Sequence, residues 1–312
     1  MIGPTCPHVY CRAPLPEGAS ECARCGHPVD AARLRDPSLL AAAASRLPQL
    51  PRPLIDMHTI LPAHPVALTA QVMTMEALGI QRALLQSVPP EAKTLQGNQG
   101  LAEARAKHPE RFVTSWYVDP RAADVLAELE RAVDGGARVV KVLPVIGFRL
   151  DDPSLHSFWA RLAELKLVLL VHTGFITARH KAEEAAAGRF FNASAGDPLQ
   201  VDEPARRFPE VSIIIAHCGG AIFHEAAAQL VTQHDNVWGD LSGFGLFALQ
   251  RWLRLGTTLD WSKVFWGNDS PFFHYPANLR LLLTTLEEAG AASLTPALLA
   301  DNGAEFCERH AW

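Results

Sequence analysis

Leu54-Ile55-Asp56-Met57-His58-Thr59-Ile60 is a short apolar run with a histidine near its end, closed by Pro62. From this run onward the chain repeats one pattern, strand then helix. Strands are expected at 54–58, 80–87, 111–117, 138–143, 167–172, 211–216, 236–241 and 263–267. Helices are expected at 66–78, 94–107, 121–134, 155–166, 199–208, 220–234, 246–255, 277–289 and 295–307. The strand segments are continuous apolar runs, as in Val168-Leu169-Leu170-Val171 and Ile213-Ile214-Ile215. Unbroken runs mark parallel strands buried on both faces. Eight strands, each followed by a helix, in roughly 260 residues is the arithmetic of a TIM barrel. An open doubly wound sheet would show fewer strands and a Gly-rich turn after the first.

The chain has 312 residues, 48% hydrophobic and 20% charged, with a formal net charge of −5. That is a globular composition. Without a long basic run, nucleic acid is not an expected partner. No signal-peptide pattern opens the chain, and runs such as 165–171 are too short to span a bilayer. A cytoplasmic protein with no membrane partner is the expectation. Its six cysteines should then be reduced, buried or metal-bound.

Four of them, Cys6, Cys11, Cys22 and Cys25, crowd the first 25 residues. So short a segment cannot bury enough apolar surface to fold alone, and four thiolates around one Zn²⁺ would supply the missing stability. Cys22-Ala23-Arg24-Cys25-Gly26 has the spacing of a metal knuckle, whereas Cys6 and Cys11 are wider apart than usual, so His8 or His27 could replace one thiolate. The division is therefore a zinc-ribbon-like module over 1–30, a helical and Pro-rich connector over 31–52, and a barrel over 53–312. Four protein ligands leave no open position for catalysis, so the expected role of this zinc module is structural or the binding of a protein partner.

Active sites of such barrels lie at the C-terminal strand ends. Those ends read Asp56-Met57-His58, Lys141-Val142-Leu143-Pro144, His172-Thr173-Gly174, His217-Cys218-Gly219-Gly220, Asp240-Leu241-Ser242-Gly243 and Gly267-Asn268-Asp269-Ser270-Pro271. Three histidines and an aspartate in phase with the repeat form a candidate constellation for Zn²⁺ or a similar divalent ion. His217 could ligate, or act on the substrate from beside the metal. The long loop 174–198, with Arg179-His180-Lys181 and Gly188-Arg189-Phe190-Phe191-Asn192, is a candidate lid. Phe175, Phe190, Phe191, Trp116 and Trp159 are candidates for an aromatic pocket, or for core.

Together these strand ends, with Val171-His172-Thr173-Gly174, Ala216-His217-Cys218-Gly219-Gly220, Trp266-Gly267-Asn268-Asp269-Ser270-Pro271-Phe272 and Leu299-Ala300-Asp301-Asn302-Gly303-Ala304, resemble the amidohydrolase superfamily over about 54–310. The nearest branch is similar to aminocarboxymuconate-semialdehyde decarboxylase and related aromatic-acid decarboxylases and hydrolases. The resemblance implies a barrel metal, commonly zinc, held by His58, His172 and Asp269, with His217 as nearby acid/base and Lys141 facing the substrate. It also implies a homodimer. One departure stands out: the family carries two histidines one residue apart on strand one, and here the second position is Ile60, with His64 displaced further on. The expected function is an enzyme, a metal-dependent hydrolase of an ester, lactone or amide or a non-oxidative decarboxylase, with Asp269, His217 and Lys141 catalytic on a small-molecule carboxylic acid. The alternative left by Ile60 is a metal-free or degenerate barrel that serves as a scaffold through its zinc ribbon.

Overall fold

The structure, a computed structural model, describes residues 4–30, 45, 47, 50–176 and 191–312. The expected connector helices and the charged part of the 174–198 loop, including Arg179, His180, Lys181 and Phe190, lie outside those residues. Eight strands run in sequence order, each parallel to the next: β1 Leu54–Thr59, β2 Ile80–Leu85, β3 Phe112–Tyr117, β4 Val139–Val142, β5 Val168–His172, β6 Ile213–Ala216, β7 Val237–Asp240 and β8 Val264–Phe265. The N–H of Met57 donates to the Trp266 carbonyl at 3.1 Å, which brings the first strand against the end of the last. The fold is a TIM barrel.

A helix follows each strand: α1 Ala67–Leu78, α2 Asn98–Lys107, α3 Val125–Asp134, α4 His156–Glu164, α5 Asp202–Arg207, α6 His224–Gln233, α7 Gly245–Leu255 and α8 Tyr275–Glu288, with α9 Asn302–Arg309 last. The expected helix over 199–208 is shorter than its pattern suggested. Asp197 caps a 3-10 turn at Pro198–Val201 by accepting from the Leu199 N–H, and only then does α5 begin. Residues 297–301 similarly form a π turn ahead of α9. No helix among the described residues is long and apolar enough to cross a membrane.

The apolar residues sort by strand parity. Met57, Leu84, Val139, Leu170, Ile214, Trp238 and Phe265 fill the barrel interior, whereas Leu85, Val140, Leu169 and Ile213 face the helices. Both faces are buried, which is why the strands read as continuous apolar runs. The single-stranded alternation of a half-exposed sheet has no place here.

The cysteine-rich segment folds over the barrel mouth. Two short antiparallel bridges, Thr5 with Pro14 and Glu21 with Pro28, close two loops that carry Cys6 to Cys11 and Cys22 to Cys25. Backbone bonds tighten both: Cys11 N–H to the His8 carbonyl at 3.0 Å and Gly26 N–H to the Cys22 carbonyl at 2.7 Å. All four cysteines are buried. The module rests on α8, where Arg280 donates to the Ala23 carbonyl at 3.0 Å and Arg24 pairs with Glu288 at 2.7 Å.

Candidate active site

Alternate strand residues share a face. Gln86, Lys141, His172 and Asp240 therefore continue the inward rows begun by Leu84, Val139, Leu170 and Trp238. His58 has the parity of Asp56, yet it turns into the mouth. The β1–β2 register breaks between Asp56 and Thr59, and such a bulge re-aims the side chains beyond it. His217 and Asp269 reach the site through backbone in the left-handed region, with φ of +63° and +42°, and Cys218 shares it at +46°. Left-handed non-glycine residues concentrate where a site requires them.

His58, Lys141, His172, His217 and Asp269 line one cavity of about 430 Å³. His58 Nε2 stands 3.4 Å from Asp269 Oδ1, and His217 Nδ1 stands 3.9 Å from Asp269 Oδ2. The His217 ring lies between those of His58 and His172, at 5.1 and 4.9 Å. Ile60 also lines the cavity, so positions 58 and 60 do share it, and the second carries a hydrocarbon. His64 does not compensate. It is exposed, and its Nδ1 accepts from the Val66 N–H.

One carboxylate orients both deep imidazoles. Asp240 is fully buried and takes the His58 Nδ1–H at 2.6 Å, the Ser242 N–H at 2.7 Å and the Ser242 hydroxyl at 2.9 Å. The Ser242 carbonyl and hydroxyl oxygens in turn accept from His217 Nδ1, at 3.0 and 3.1 Å. Both rings are thereby fixed with Nδ1 protonated. Burial works to raise the Asp240 carboxyl, but the His58 imidazole beside it prevails and holds it below the usual range. Burial, with His58 and Lys141 adding to it against the pull of Asp269, pushes His217 down and keeps it neutral. Burial brings the Lys141 ammonium down to about 8 against the attraction of Asp269 and Asp240.

Asp56 plays a different part. Its carboxylate accepts from the N–H groups of His58 and Asn268, both at 3.0 Å, and from the Tyr275 hydroxyl. It clamps the end of β1 to the loop after β8, where the Asp269 N–H reaches the His58 carbonyl at 2.7 Å. Gly267 permits the approach, since a Cβ there would lie 2.5 Å from the His58 Cβ.

Two of the expected donors, His58 and Asp269, stand at the spacing of ligands to one divalent ion. Two atoms bound to one tetrahedral ion at about 2.1 Å stand about 3.4 Å apart, which is the separation of His58 Nε2 and Asp269 Oδ1. A histidine whose other nitrogen donates to a carboxylate is the arrangement that metal-binding histidines adopt. His58, His217 and Asp240 also offer atoms within 4.8 Å of one another, but the Asp240 oxygens are already taken up by His58 and Ser242. At the module, Cys6 and Cys25 sulfurs are 3.7 Å apart and those of Cys11 and Cys22 3.8 Å. A tetrahedron with metal–sulfur bonds of about 2.3 Å has edges of about 3.8 Å. Burial pushes the Cys6 thiol up to about 12, while a hydrogen bond from Cys25 pulls Cys11 down to about 5. The sulfur spacing is that of four ligands around one metal ion. His8 and His27 stand apart from the sulfur cluster and line the barrel cavity instead.

Of the aromatic candidates, Phe175 and Phe191 line the cavity, whereas Trp159 is core, stacked on Phe208, and Trp116 belongs to the core cluster. Gln86 was not read as a site residue and Asp240 was read only as a strand end without a role; Tyr10 and Phe244 were not read as site residues at all. Strand parity would have found the first two. Nothing in the sequence places the others.

Comparison with known proteins agrees with this fold. No curated protein matches the chain. An uncharacterized TIM-barrel protein from Bordetella bronchiseptica is similar at 14% identity and a TM-score of 0.58, over 78% of this chain and 98% of that one. A probable 2-pyrone-4,6-dicarboxylic acid hydrolase from Acinetobacter baumannii is similar at 13% identity and 0.56, over 83% and 100%. A 5-carboxyvanillate decarboxylase from Sphingomonas paucimobilis is similar at 17% identity and 0.53, over 80% and 87%. The amidohydrolase family model matches residues 53–306, nearly the whole barrel, and the chain belongs to the amidohydrolase family of enzymes.

Proposed function

We propose that this enzyme acts on a small carboxylic acid, by hydrolysis or by non-oxidative loss of CO₂, using acid–base chemistry at the mouth of the barrel. The observation that carries this reading is the convergence of His58, His217, Asp269 and the buried Lys141 on one cavity. His58 and Asp269, with His172 alongside, would hold a divalent ion, zinc or another. When bound, such an ion polarises a substrate oxygen or a water. Lys141, a buried cation beneath the cavity, is the partner for a substrate carboxylate. His217 is neutral with Nδ1–H directed at Ser242, so Nε2 is the nitrogen that can take a proton from water or return one to a substrate carbon. Asp269, whose Oδ1 stands 3.4 Å from His58 Nε2, is the second group that would take a proton in the cavity.

The names of two relatives, a pyrone-dicarboxylate hydrolase and a carboxyvanillate decarboxylase, both point to carboxylic acids. They support the substrate class rather than a substrate. The scaffold alternative draws on Ile60 and on the appended cysteine-rich module. Against it, the four-cysteine module turns His8, Tyr10 and His27 into the cavity rather than outward.

The test is a screen of the full chain, supplied with Zn²⁺ or Mn²⁺, against lactone and pyrone carboxylates and hydroxybenzoates. Ring opening and CO₂ release are followed separately. Asp269→Asn should lower turnover at least about 100-fold while its thermal melt stays near that of the parent. Turnover that survives Asp269→Asn would sink the reading.

A further inference from the structure

The four-cysteine module contributes to the barrel's site. His8, Tyr10 and His27 are each at most 3% exposed, far more covered than so small a module could arrange by itself. The barrel covers them. Tyr10 sits in the turn between Cys6 and Cys11. Its ring meets Phe244 edge-on at 5.3 Å, and its hydroxyl donates to Asp269 Oδ2 at 3.4 Å, a long contact for an O–H···O bond. His27 stacks on His274 at 5.4 Å, and His8 packs against both, at 5.1 Å from His27 and 5.8 Å from His274. Gly243 makes room for the junction. A Cβ at that position would lie 2.4 Å from Asp269 Oδ2 and 3.2 Å from the Tyr10 hydroxyl.

We propose that Tyr10 is a positioning residue for Asp269, and that a metal ion on Cys6, Cys11, Cys22 and Cys25 holds the turn that delivers it. The barrel supplies a carboxylate with one oxygen toward His58 and the other toward Tyr10. A carboxylate gripped at its outer oxygen presents the inner one in a fixed direction, and such outer partners tune a ligand's hold on a metal. The two cysteines that bracket Tyr10 are both members of the sulfur cluster, so a bound ion pins both ends of its turn. A module that merely plugs the barrel would need the Tyr10 ring and not its hydroxyl.

This inference rests on the reading of Asp269 given above, and the test separates the two. Four full-length proteins are compared: the parent, Tyr10→Phe, Cys22→Ser and Arg280→Glu. Metal content is measured by plasma mass spectrometry, backbone protection by hydrogen–deuterium exchange, and Mn²⁺ binding at the barrel by calorimetry. Cys22→Ser should lose the module's metal and raise exchange in 241–247 and 268–274 by about tenfold, with β5 and β6 unchanged. Arg280→Glu, which sets a carboxylate against the Ala23 carbonyl, should keep the metal and loosen the same segments. Tyr10→Phe should keep both the metal and the protection yet weaken Mn²⁺ binding about tenfold. Unchanged exchange in both Cys22→Ser and Arg280→Glu would overturn the metal-held turn. Parent-like Mn²⁺ affinity in Tyr10→Phe would overturn the positioning role. A parent that binds no Mn²⁺ at the barrel would remove Asp269 as a ligand, and the positioning role with it, while the exchange data would still decide whether the module closes the mouth.

Discussion

At the scale of single residues, Gln86 and Lys141 show how a site is kept ready for a ligand at the expense of the fold. Gln86 is 2% exposed, and neither end of its amide has a partner among the described residues. A buried amide without partners costs stability unless a ligand or water satisfies it. Gln86→Leu should therefore raise the melting temperature, while the KM for the acid found by screening rises about tenfold and kcat moves less than about twofold. Calorimetry and steady-state kinetics on the two proteins check it. Lys141 carries a related cost. Its pKa in the fold, about 8, lies below the ordinary 10.5, so folding disfavours the charged form. The penalty is full below pH 8, declines as the folded protein sheds the proton first, and is gone above pH 10.5. Lys141→Met should stabilise the protein on the order of 3 kcal/mol at pH 7. Melts from pH 6 to 10.5 should show the two proteins converging at the alkaline end, and a constant gap would contradict the assignment.

At the scale of elements, the ends of β1, β6, β7 and β8 hold one another in place. Asp240, at the end of β7, receives His58 from β1 directly and His217 from beyond β6 through Ser242. An amide there accepts from His58 more weakly and no longer enforces its tautomer. Asp240→Asn should weaken metal binding in the barrel by about 10- to 100-fold and leave the metal content of the module unchanged, as metal analysis at graded free Mn²⁺ would show. Gly243, in the loop after β7, has φ of +55° and no space for a Cβ. Gly243→Ala should displace Asp269 and Tyr10 together, with loss of activity larger than loss of stability. Equal losses in a melt and a turnover assay would assign it to folding alone.

At the scale of the whole molecule, six buried thiols fall into two kinds. Cys218 and Cys307 are buried by the barrel, and burial pushes both thiols up. Cys6, Cys11, Cys22 and Cys25 are buried with each other, at metal-site spacing. A chelator should therefore expose four thiols to a disulfide reagent and leave two protected until denaturant is added. If none reacts after chelation, packing and not a metal holds the module. The same treatment should raise exchange around the barrel mouth, because the module rests on α8 and its turn meets the loop after β8.

The barrel was legible in the sequence because its strands are buried on both faces, which leaves unbroken apolar runs at a regular spacing. His58, Lys141, His172, His217 and Asp269 were legible because each stands at or next to a strand end, and the barrel brings all of those ends to one side. The cysteine spacing announced a cluster. Tertiary structure alone decided that Asp240 serves two imidazoles, since one hydrogen bond spans 182 positions of chain and the other passes through Ser242. It alone decided that Gln86 lacks a partner among the described residues, since satisfaction of a buried amide depends on every neighbour. And it alone set Tyr10 against Asp269, 259 positions away. Local pattern fixes the direction in which a strand delivers its side chains; which module is laid over the mouth follows from packing between surfaces that the sequence does not mark as a pair.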